Sequence, residues 1–199
     1  MTLKDIQKLE LRKLINKKRD ALTQAERISA SQKAAVHLIN SDFFIKSANI
    51  ACYIARGAEI NPQPIIDKIW AQKKNCYVPI VHPKKFGQMC FVKYMPHDEL
   101  VLDRFAIKEP AFHEDKVIEP RELDLVILPL LAFDDKGNRL GTGGGYYDRA
   151  FNFVLTKPLS HKPFLCGLAY KLQKVDYIET KEWDVKIDAV VTEQGIIEF

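Results

Sequence analysis

Residues 128–151 read LPLLAFDDKGNRLGTGGGYYDRAF and contain a cluster of glycines. Five of the nine glycines in the chain lie here, at Gly137, Gly141, Gly143, Gly144 and Gly145. The apolar run LDLVIL at 123–128 predicts a buried strand before the cluster, and residues 146–155 predict a helix after it. The glycines are therefore expected to form a loop between a strand and a helix.

A loop of this kind is suited to an anion. Glycine permits positive φ and lets a ligand approach backbone N–H groups because it has no Cβ. A helix N-terminus adds unpaired donors and the positive end of the helix dipole, which favour phosphate. Neither the Walker A motif nor the dinucleotide motif GxGxxG is present, since Tyr146 stands where the last glycine would be. A glycine-rich hairpin without a ligand is the alternative interpretation.

Two charged residues beside the glycines favour the phosphate interpretation. Arg139 can donate to phosphate oxygens with its guanidinium fork. Asp148 falls in the first turn of the predicted helix, where a carboxylate and a phosphate would repel unless a cation lay between them. We therefore predict a Mg²⁺ ion bound by Asp148, because magnesium commonly uses one or two carboxylates plus substrate phosphates. The alternative is an aspartate that only complements the helix dipole.

The rest of the chain predicts an α/β fold. Two helices are expected before the sheet, the second starting at the capping box Thr23–Gln–Ala–Glu26 and running to about residue 40. Further strands are predicted at 49–55, 76–81, 89–94, 163–170 and 187–192, with a helix from 62 to about 73. Residues 96–122 lack periodicity and are predicted to be a long loop. This alternation indicates a single layered domain, residues 1–199, with a largely parallel, Rossmann-like sheet flanked by helices.

Ligands in such folds bind at the carboxyl ends of the strands. Residues 56–59, the glycine loop and the loop after Tyr170 all follow predicted strands. We expect these three segments to share one edge of the sheet and to form one site.

The net charge of +4 comes from the N-terminal helix, because residues 1–20 hold seven basic and three acidic residues. Helical periodicity places Leu11, Leu14 and Ile15 on one face, with Lys8, Arg12 and Arg19 along its edge. Three interpretations remain open: a solvated basic face, contact with nucleic acid, or contact with an anionic ligand. No nucleic-acid-binding motif or interleaved aromatic residues are present.

Several classes of protein are disfavoured by composition. No apolar run of 18 residues and no secretory signal are present, so we expect a cytoplasmic protein without a membrane segment. The four cysteines form no CxxC pair and predict reduced core thiols. The five histidines are scattered, which disfavours a transition-metal site.

The stretch NRLGTGGGYYDR after a buried strand and LPLLAFD closely resembles the signature of the 5-formyltetrahydrofolate cyclo-ligases, also called 5,10-methenyltetrahydrofolate synthetases. The resemblance covers nearly the whole chain. It extends to KLELR in the N-terminal helix, AEI near 59, EP at 109–110, LAYKLQ, and WDVKIDAVVTE near the end. The reaction implied uses ATP to convert 5-formyltetrahydrofolate, with or without a polyglutamate tail, to 5,10-methenyltetrahydrofolate, ADP and phosphate. A monomer is expected.

The resemblance also implies the roles of individual residues. Lys8 and Arg12 match the family's N-terminal phosphate contacts, and Asp184 matches an aspartate that joins the equivalent of Asp148 at the metal. Arg139, Tyr147 and Asp148 are implied as catalytic. The implied nucleotide site comprises Lys8, Arg12, Arg139, Gly141, Thr142, Gly143, Gly144, Gly145, Tyr146 and Tyr147.

Folate contacts are implied for Glu59, Tyr146 and Phe105. The alternative for Glu59 is a loop carboxylate, and the alternative for Tyr146 is core packing. The sequence departs from the family at Trp183, where histidine is expected, and at Gly144, where some members carry lysine. If that lysine helps to bind the γ-phosphate, its absence puts more weight on Lys8, Arg12 and Arg139.

Two other functions compete with the cyclo-ligase reaction. A sugar-phosphate isomerase could use the glycine loop to bind substrate phosphate and would need no ATP. A non-enzymatic RNA or protein-complex binder could use the basic N-terminal helix, and its RNA binding would depend steeply on salt.

Overall fold

The computed structural model describes residues 3–102, 108–156 and 163–199. The α-helices in these ranges are α1 (Leu3–Asp20), α2 (Gln24–Ile39), α3 (Asp42–Lys46), α4 (Gln63–Ala71) and α5 (Tyr146–Phe151). The strands are β1 (Asn49–Ala51), β2 (Asn75–Val81), β3 (Met89–Lys93), β4 (Leu100–Leu102), β5 (Lys108–Pro110), β6 (Val117–Ile118), β7 (Leu125–Pro129), β8 (Ala132–Phe133), β9 (Arg139–Leu140), β10 (Phe164–Leu168), β11 (Ala189–Thr192) and β12 (Gly195–Glu198).

Eight of these strands form one sheet in the order β12-β11-β10-β7-β1-β2-β3-β6. The five strands from β11 to β2 are parallel to their neighbours, whereas β12, β3 and β6 pair in antiparallel fashion at the edges. The prediction of an α/β fold with a largely parallel sheet, flanked by helices and preceded by two N-terminal helices, is confirmed.

β1 and β7 lie side by side in the middle of the sheet, and the chain adds its next strand on opposite sides of this pair. From β1 it passes through α4 to β2 on one side, and from β7 it passes through α5 to β10 on the other side. The loops after β1 and β7 therefore separate and leave a crevice at their carboxyl ends, which is the usual ligand position in this architecture.

Two apolar layers cover the sheet. Along β7, Leu125 and Ile127 pack into the layer that holds α2 and α4, while Val126 and Leu128 pack into the layer that holds α5. All four side chains are buried, which explains why this strand is continuously apolar rather than alternating. The predicted capping box at Thr23 is present, with the Glu26 N–H donating to Thr23 Oγ1 at 3.2 Å.

Some predicted elements differ in extent. The helix expected at 146–155 has regular α-helical geometry only to Phe151 and continues as a 3₁₀ turn to Leu155. Within the expected long loop, the described residues contain a β4–β5 ladder and the edge strand β6. Leu14 is 49% exposed instead of lying on the docked face of α1. None of the helices in the described ranges is long and apolar enough to span a membrane.

Candidate active site

A cleft of about 1330 Å³ opens at the crevice between the loops after β1 and β7. Its walls come from residues 53–59 after β1, residues 79–81 at the end of β2, residues 129–131 after β7, and the glycine loop. α1 supplies another wall, and Lys181, Trp183 and Asp184 reach the cleft from the segment after β10. The three segments expected to share one edge of the sheet thus contribute to one cavity.

Asp134 fixes the position of the two-stranded ribbon formed by β8 and β9, which leads directly into the glycine loop. Its carboxylate accepts hydrogen bonds from the backbone N–H groups of Lys136, Asn138 and Ile178, at 2.9, 3.1 and 3.1 Å, and from the Asn138 side chain at 2.9 Å. Burial raises the pKa of Asp134, but these hydrogen bonds outweigh that effect and leave the pKa below its ordinary value. This role was not predicted from the sequence, although the run Asp-Asp-Lys-Gly-Asn at 134–138 is typical of a turn.

The glycine loop is held from one side by α1. Arg12 Nε donates to the Gly141 carbonyl oxygen at 2.9 Å. A Cβ at Gly143 would lie 3.7 Å from the Arg12 guanidinium, and Gly143 has φ +113°. Gly145 has φ +64° and immediately precedes α5. Thr142 is exposed on the wall of the cleft. Glycine is therefore required at 143 and 145 by backbone conformation.

The helix after this loop contributes less to anion binding than the sequence suggested. α5 has six residues, so its dipole is short. Cationic side chains on this wall are supplied instead by Lys8, Arg12 and Arg139, all of which line the cleft.

Arg139 and Asp148 form an ion pair in the wall. Arg139 Nη2 donates to Asp148 Oδ1 at 2.7 Å, and the two side chains are 7% and 22% exposed. The Val185 N–H also donates to Asp148 Oδ1, at 3.2 Å, which joins α5 to the turn that carries Asp184. Among the described atoms, Arg139 Nε is buried without a hydrogen-bond partner, so this guanidinium retains unused donor capacity.

The second predicted metal ligand lies on the same wall. Asp184 pairs with Lys8 at 3.6 Å and accepts a hydrogen bond from the Lys181 N–H at 2.9 Å. Across the described ranges, no group of three or more His, Cys, Asp and Glu side chains is arranged to hold a metal ion. Magnesium does not need such a group, because one or two carboxylates suffice when phosphates and water complete the shell. The pair Asp148 and Asp184 fits that donor set.

The two tyrosines of the signature are both on the cleft. Burial raises the pKa of Tyr147 well above its ordinary value, so its hydroxyl remains protonated at neutral pH. The Arg149 guanidinium lies 4.9 Å from the centre of the Tyr146 ring. Tyr147 is thus available as an O–H donor rather than as a base.

Glu59 lies on the β1 side of the cleft. Its carboxylate accepts a hydrogen bond from the Arg56 N–H at 2.9 Å, and its own N–H donates to the Arg56 carbonyl oxygen at 2.9 Å, which closes a tight turn. Burial raises the pKa of Glu59, although the hydrogen bond from Arg56 and the charges of Arg19 and Arg56 oppose this shift. Glu59 lines the cleft, and its charge acts on Tyr147.

Lys8, Arg12 and Arg19 lie on the docked face of α1, not along the edge of an apolar face. The Lys8 side chain is 17% exposed and Arg19 is 8% exposed, close to Ile15, which is fully buried. This face therefore turns cations toward the cleft, as the anionic-ligand interpretation expected. Arg19 was not predicted to be a site residue.

Three further sequence observations have separate outcomes. Phe105 lies outside the described residues. A Cβ at Gly144 would come within 2.9 Å of the Tyr146 ring, so a lysine at this position would require that ring to move. Trp183 is 61% exposed and lines the cleft, with Lys181 Nζ 5.3 Å from its ring centre.

Comparison with known proteins agrees with this geometry. The model of the 5-formyltetrahydrofolate cyclo-ligase family matches residues 4–193. The 5-formyltetrahydrofolate cyclo-ligase of Escherichia coli K12 is 34% identical over 94% of this chain and 100% of its own length. The Haemophilus influenzae enzyme is 36% identical over 89% of this chain and 93% of its own.

Solved structures give the same result. The NMR structure of Aquifex aeolicus 5,10-methenyltetrahydrofolate synthetase superposes with a TM-score of 0.80 at 30% identity, covering 96% of this chain and 92% of the other. The Mycoplasma pneumoniae synthetase gives 0.69 at 25% identity, covering 94% and 98%. The chain belongs to the 5-formyltetrahydrofolate cyclo-ligase family.

Proposed function

We propose that this protein converts 5-formyltetrahydrofolate and ATP to 5,10-methenyltetrahydrofolate, ADP and phosphate. The observation that carries the proposal is the cleft at the carboxyl ends of β1 and β7. Lys8, Arg12 and Arg139 line the cleft together with the glycine loop, and Glu59 lines it from the segment that follows β1. A triphosphate and a pterin therefore have complementary walls within one cavity.

The chemistry requires the formyl oxygen to become a leaving group. The oxygen attacks the γ-phosphorus of ATP, the bond from that phosphorus to the bridging oxygen breaks, and ADP departs. The lone pair of N10 then attacks the formyl carbon and closes the five-membered ring. The N10 proton is lost and the carbon–oxygen bond breaks, which releases phosphate and leaves the methenyl cation. No side-chain nucleophile takes part in these steps.

The protein's task is mainly positioning and charge neutralisation. Lys8, Arg12 and Arg139 bring positive charge to the wall formed by the glycine loop, where the phosphates bind. Arg12 also holds the loop through Gly141. Phosphate oxygens would give Lys8 and Arg139 acceptors besides Asp184 and Asp148, which are their partners in the free protein.

Asp148 and Asp184 are the residues that would hold Mg²⁺. When bound, this ion neutralises phosphate charge as the phosphoryl group transfers. The hydrogen bond from Val185 to Asp148 keeps the two carboxylates on neighbouring segments. Asp148 thus contributes both to the fold of the wall and to the binding of the cation.

Glu59 is proposed to bind the pterin, whose amino group and ring N3–H are donors that match a carboxylate. Tyr146 lies on the glycine-loop side, between the proposed nucleotide and folate positions. The Tyr147 hydroxyl, which stays protonated, donates a hydrogen bond to the oxygen that becomes phosphorylated or to the phosphate itself. Burial of these groups strengthens each interaction.

The cellular setting is also part of the proposal. The four cysteines are unpaired and buried, which supports a reducing, cytoplasmic location. The site needs residues from only one copy of the chain, so we propose a monomer consisting of one domain. A polyglutamate tail on the substrate would extend from the open cleft into solvent.

The test is the absorbance of methenyltetrahydrofolate formed by purified protein, together with ADP, in reactions with and without ATP and Mg²⁺. Product is expected only when both are present, with one ADP formed per methenyl group. Folded protein that gives no product would refute the proposal and would turn attention to the sugar-phosphate isomerase alternative. Lys17→Met serves as the control variant, because Lys17 is an exposed basic residue of α1 that does not line the cleft.

A further inference from the structure

Arg19 lies on the wall of the cleft without an assigned role. Only 8% of it is exposed, yet its described hydrogen bonds use one side-chain donor group, Nη2, which donates to Asn16 Oδ1 at 3.1 Å. Its Nε is buried and has no hydrogen-bond partner among the described atoms. A guanidinium has five N–H donors, and leaving these donors without hydrogen bonds in a buried position costs free energy.

The surroundings do not neutralise this cation directly. In the part of the chain that the structure describes, Arg19 makes no ion pair with a carboxylate, although its charge acts on Glu59 and opposes the rise in the pKa of Glu59 that burial causes. Tyr170 is also buried, and its hydroxyl has no partner among the described atoms. The surroundings of Arg19, whose charge also acts on Tyr170, are therefore polar and poorly satisfied, as expected where a ligand supplies the missing acceptor.

Arg19 is too far along α1 to contact the phosphates that Arg12 binds. Seven residues separate the two, which corresponds to about 10 Å along a helix. Arg12 contacts the glycine loop, whereas Arg19 faces the side of the cleft that carries Glu59. The partner of Arg19 is therefore expected on the folate and not on the triphosphate.

We infer that Arg19 binds the 4-oxo oxygen of the pterin and, together with Glu59, determines specificity for that ring. The inference rests on the proposed function. The edge of a reduced pterin presents the 2-amino group, N3–H and the 4-oxo oxygen in a row. Glu59 accepts from the two donors, and Arg19 donates to the adjacent acceptor. Asn16 holds one arm of the guanidinium in place for this contact.

The experiment measures dissociation constants for 5-formyltetrahydrofolate and for ATP separately, by calorimetry, in the wild type, Arg19→Met, Arg19→Lys and the exposed control Lys17→Met. Arg19→Met should weaken folate binding about 10- to 100-fold, the effect of removing a charged hydrogen bond in a buried site. Binding of ATP should change less than about twofold, since Arg12 and Arg139 remain. Arg19→Lys should restore part of the folate affinity and covers the case in which Arg19→Met fails to fold.

A second ligand separates the pterin from the glutamate tail. 5-Formyltetrahydropteroate has the same ring but no glutamate, and we expect each Arg19 variant to lose the same factor with it as with the folate. A loss confined to the glutamate-bearing ligand, a loss of ATP affinity alone, or unchanged folate binding would each overturn the assignment. Failure of the proposed function has a different signature, because the wild type itself would then form no methenyl product.

Discussion

Replacing Asp148 with asparagine separates its structural contacts with Arg139 and Val185 from the proposed binding of Mg²⁺. Asparagine keeps an oxygen that can accept from Arg139 and from the Val185 N–H, so the wall of the cleft should remain in place. The ion pair is lost, however. Breaking a fully buried pair costs about 3–5 kcal/mol, whereas a surface pair contributes about 0–1. With side chains that are 7% and 22% exposed, and with the acceptor retained, we expect a loss of about 1–2 kcal/mol in the free energy of unfolding.

The effect on activity should be much larger than the effect on stability. If Asp148 holds Mg²⁺, the turnover number of Asp148→Asn should fall about 100-fold or more, as when a preorganised charge-stabilising group is removed. Half-saturation should also require at least about tenfold more Mg²⁺. Turnover measured against free Mg²⁺, with urea unfolding of the same preparations, gives both quantities.

Asp135→Asn is the matched control. Asp135 pairs with Lys174 and is 66% exposed, so its replacement should cost less than about 1 kcal/mol and leave turnover unchanged. A folded Asp148→Asn protein with wild-type turnover and wild-type Mg²⁺ dependence would refute the metal assignment. The aspartate would then be only a partner of Arg139.

Three further predictions concern the loops of the cleft. Gly143→Ala should weaken ATP binding, because alanine is strained at φ +113° and the loop would have to change its backbone conformation; calorimetry with ATP checks this, and unchanged affinity would contradict it. Asp134→Ala should reduce the free energy of unfolding by about 3 kcal/mol, because four donors lose their acceptor. Since the folded pKa of Asp134 is lowered, its stabilisation should be present above the unfolded pKa and disappear as the pH falls through the folded pKa, which acid unfolding of wild type and variant would show. Burial raises the pKa of Glu59, so its carboxylate should become protonated, as the pH is lowered, before the pH reaches the ordinary glutamate pKa of about 4.3. Folate affinity should fall with this protonation, and Glu59→Gln should show no such step.

The central strand and the site loop were predictable from the sequence for clear physical reasons. β7 is buried on both faces, and a continuous apolar run is the direct consequence of that burial. The glycines at 143 and 145 have positive φ, which few other residues adopt. The presence of glycine at these positions therefore indicated the backbone conformation of the loop.

Other features had no sequence signal of sufficient length. The ribbon strand β9 consists of two residues, Arg139 and Leu140, and a period of two cannot be recognised in so short a segment. The same applies to the strands within 96–122. The role of Arg19 was hidden because helical periodicity gives the direction of a side chain but not what it faces. The prediction that Leu14 lies on the docked face of α1 was wrong, because an apolar side chain does not by itself show that another element packs against it.

The central claim is that the formyl oxygen of the substrate is activated by phosphorylation in the cleft beside the glycine loop. The most direct test follows that oxygen. 5-Formyltetrahydrofolate labelled with ¹⁸O in the formyl group is converted by the wild-type protein with ATP and Mg²⁺, and the released phosphate is examined by mass spectrometry. We predict that each phosphate carries one ¹⁸O atom. Unlabelled phosphate, with ¹⁸O recovered in water, would show that ATP is hydrolysed separately from ring closure and would contradict the account.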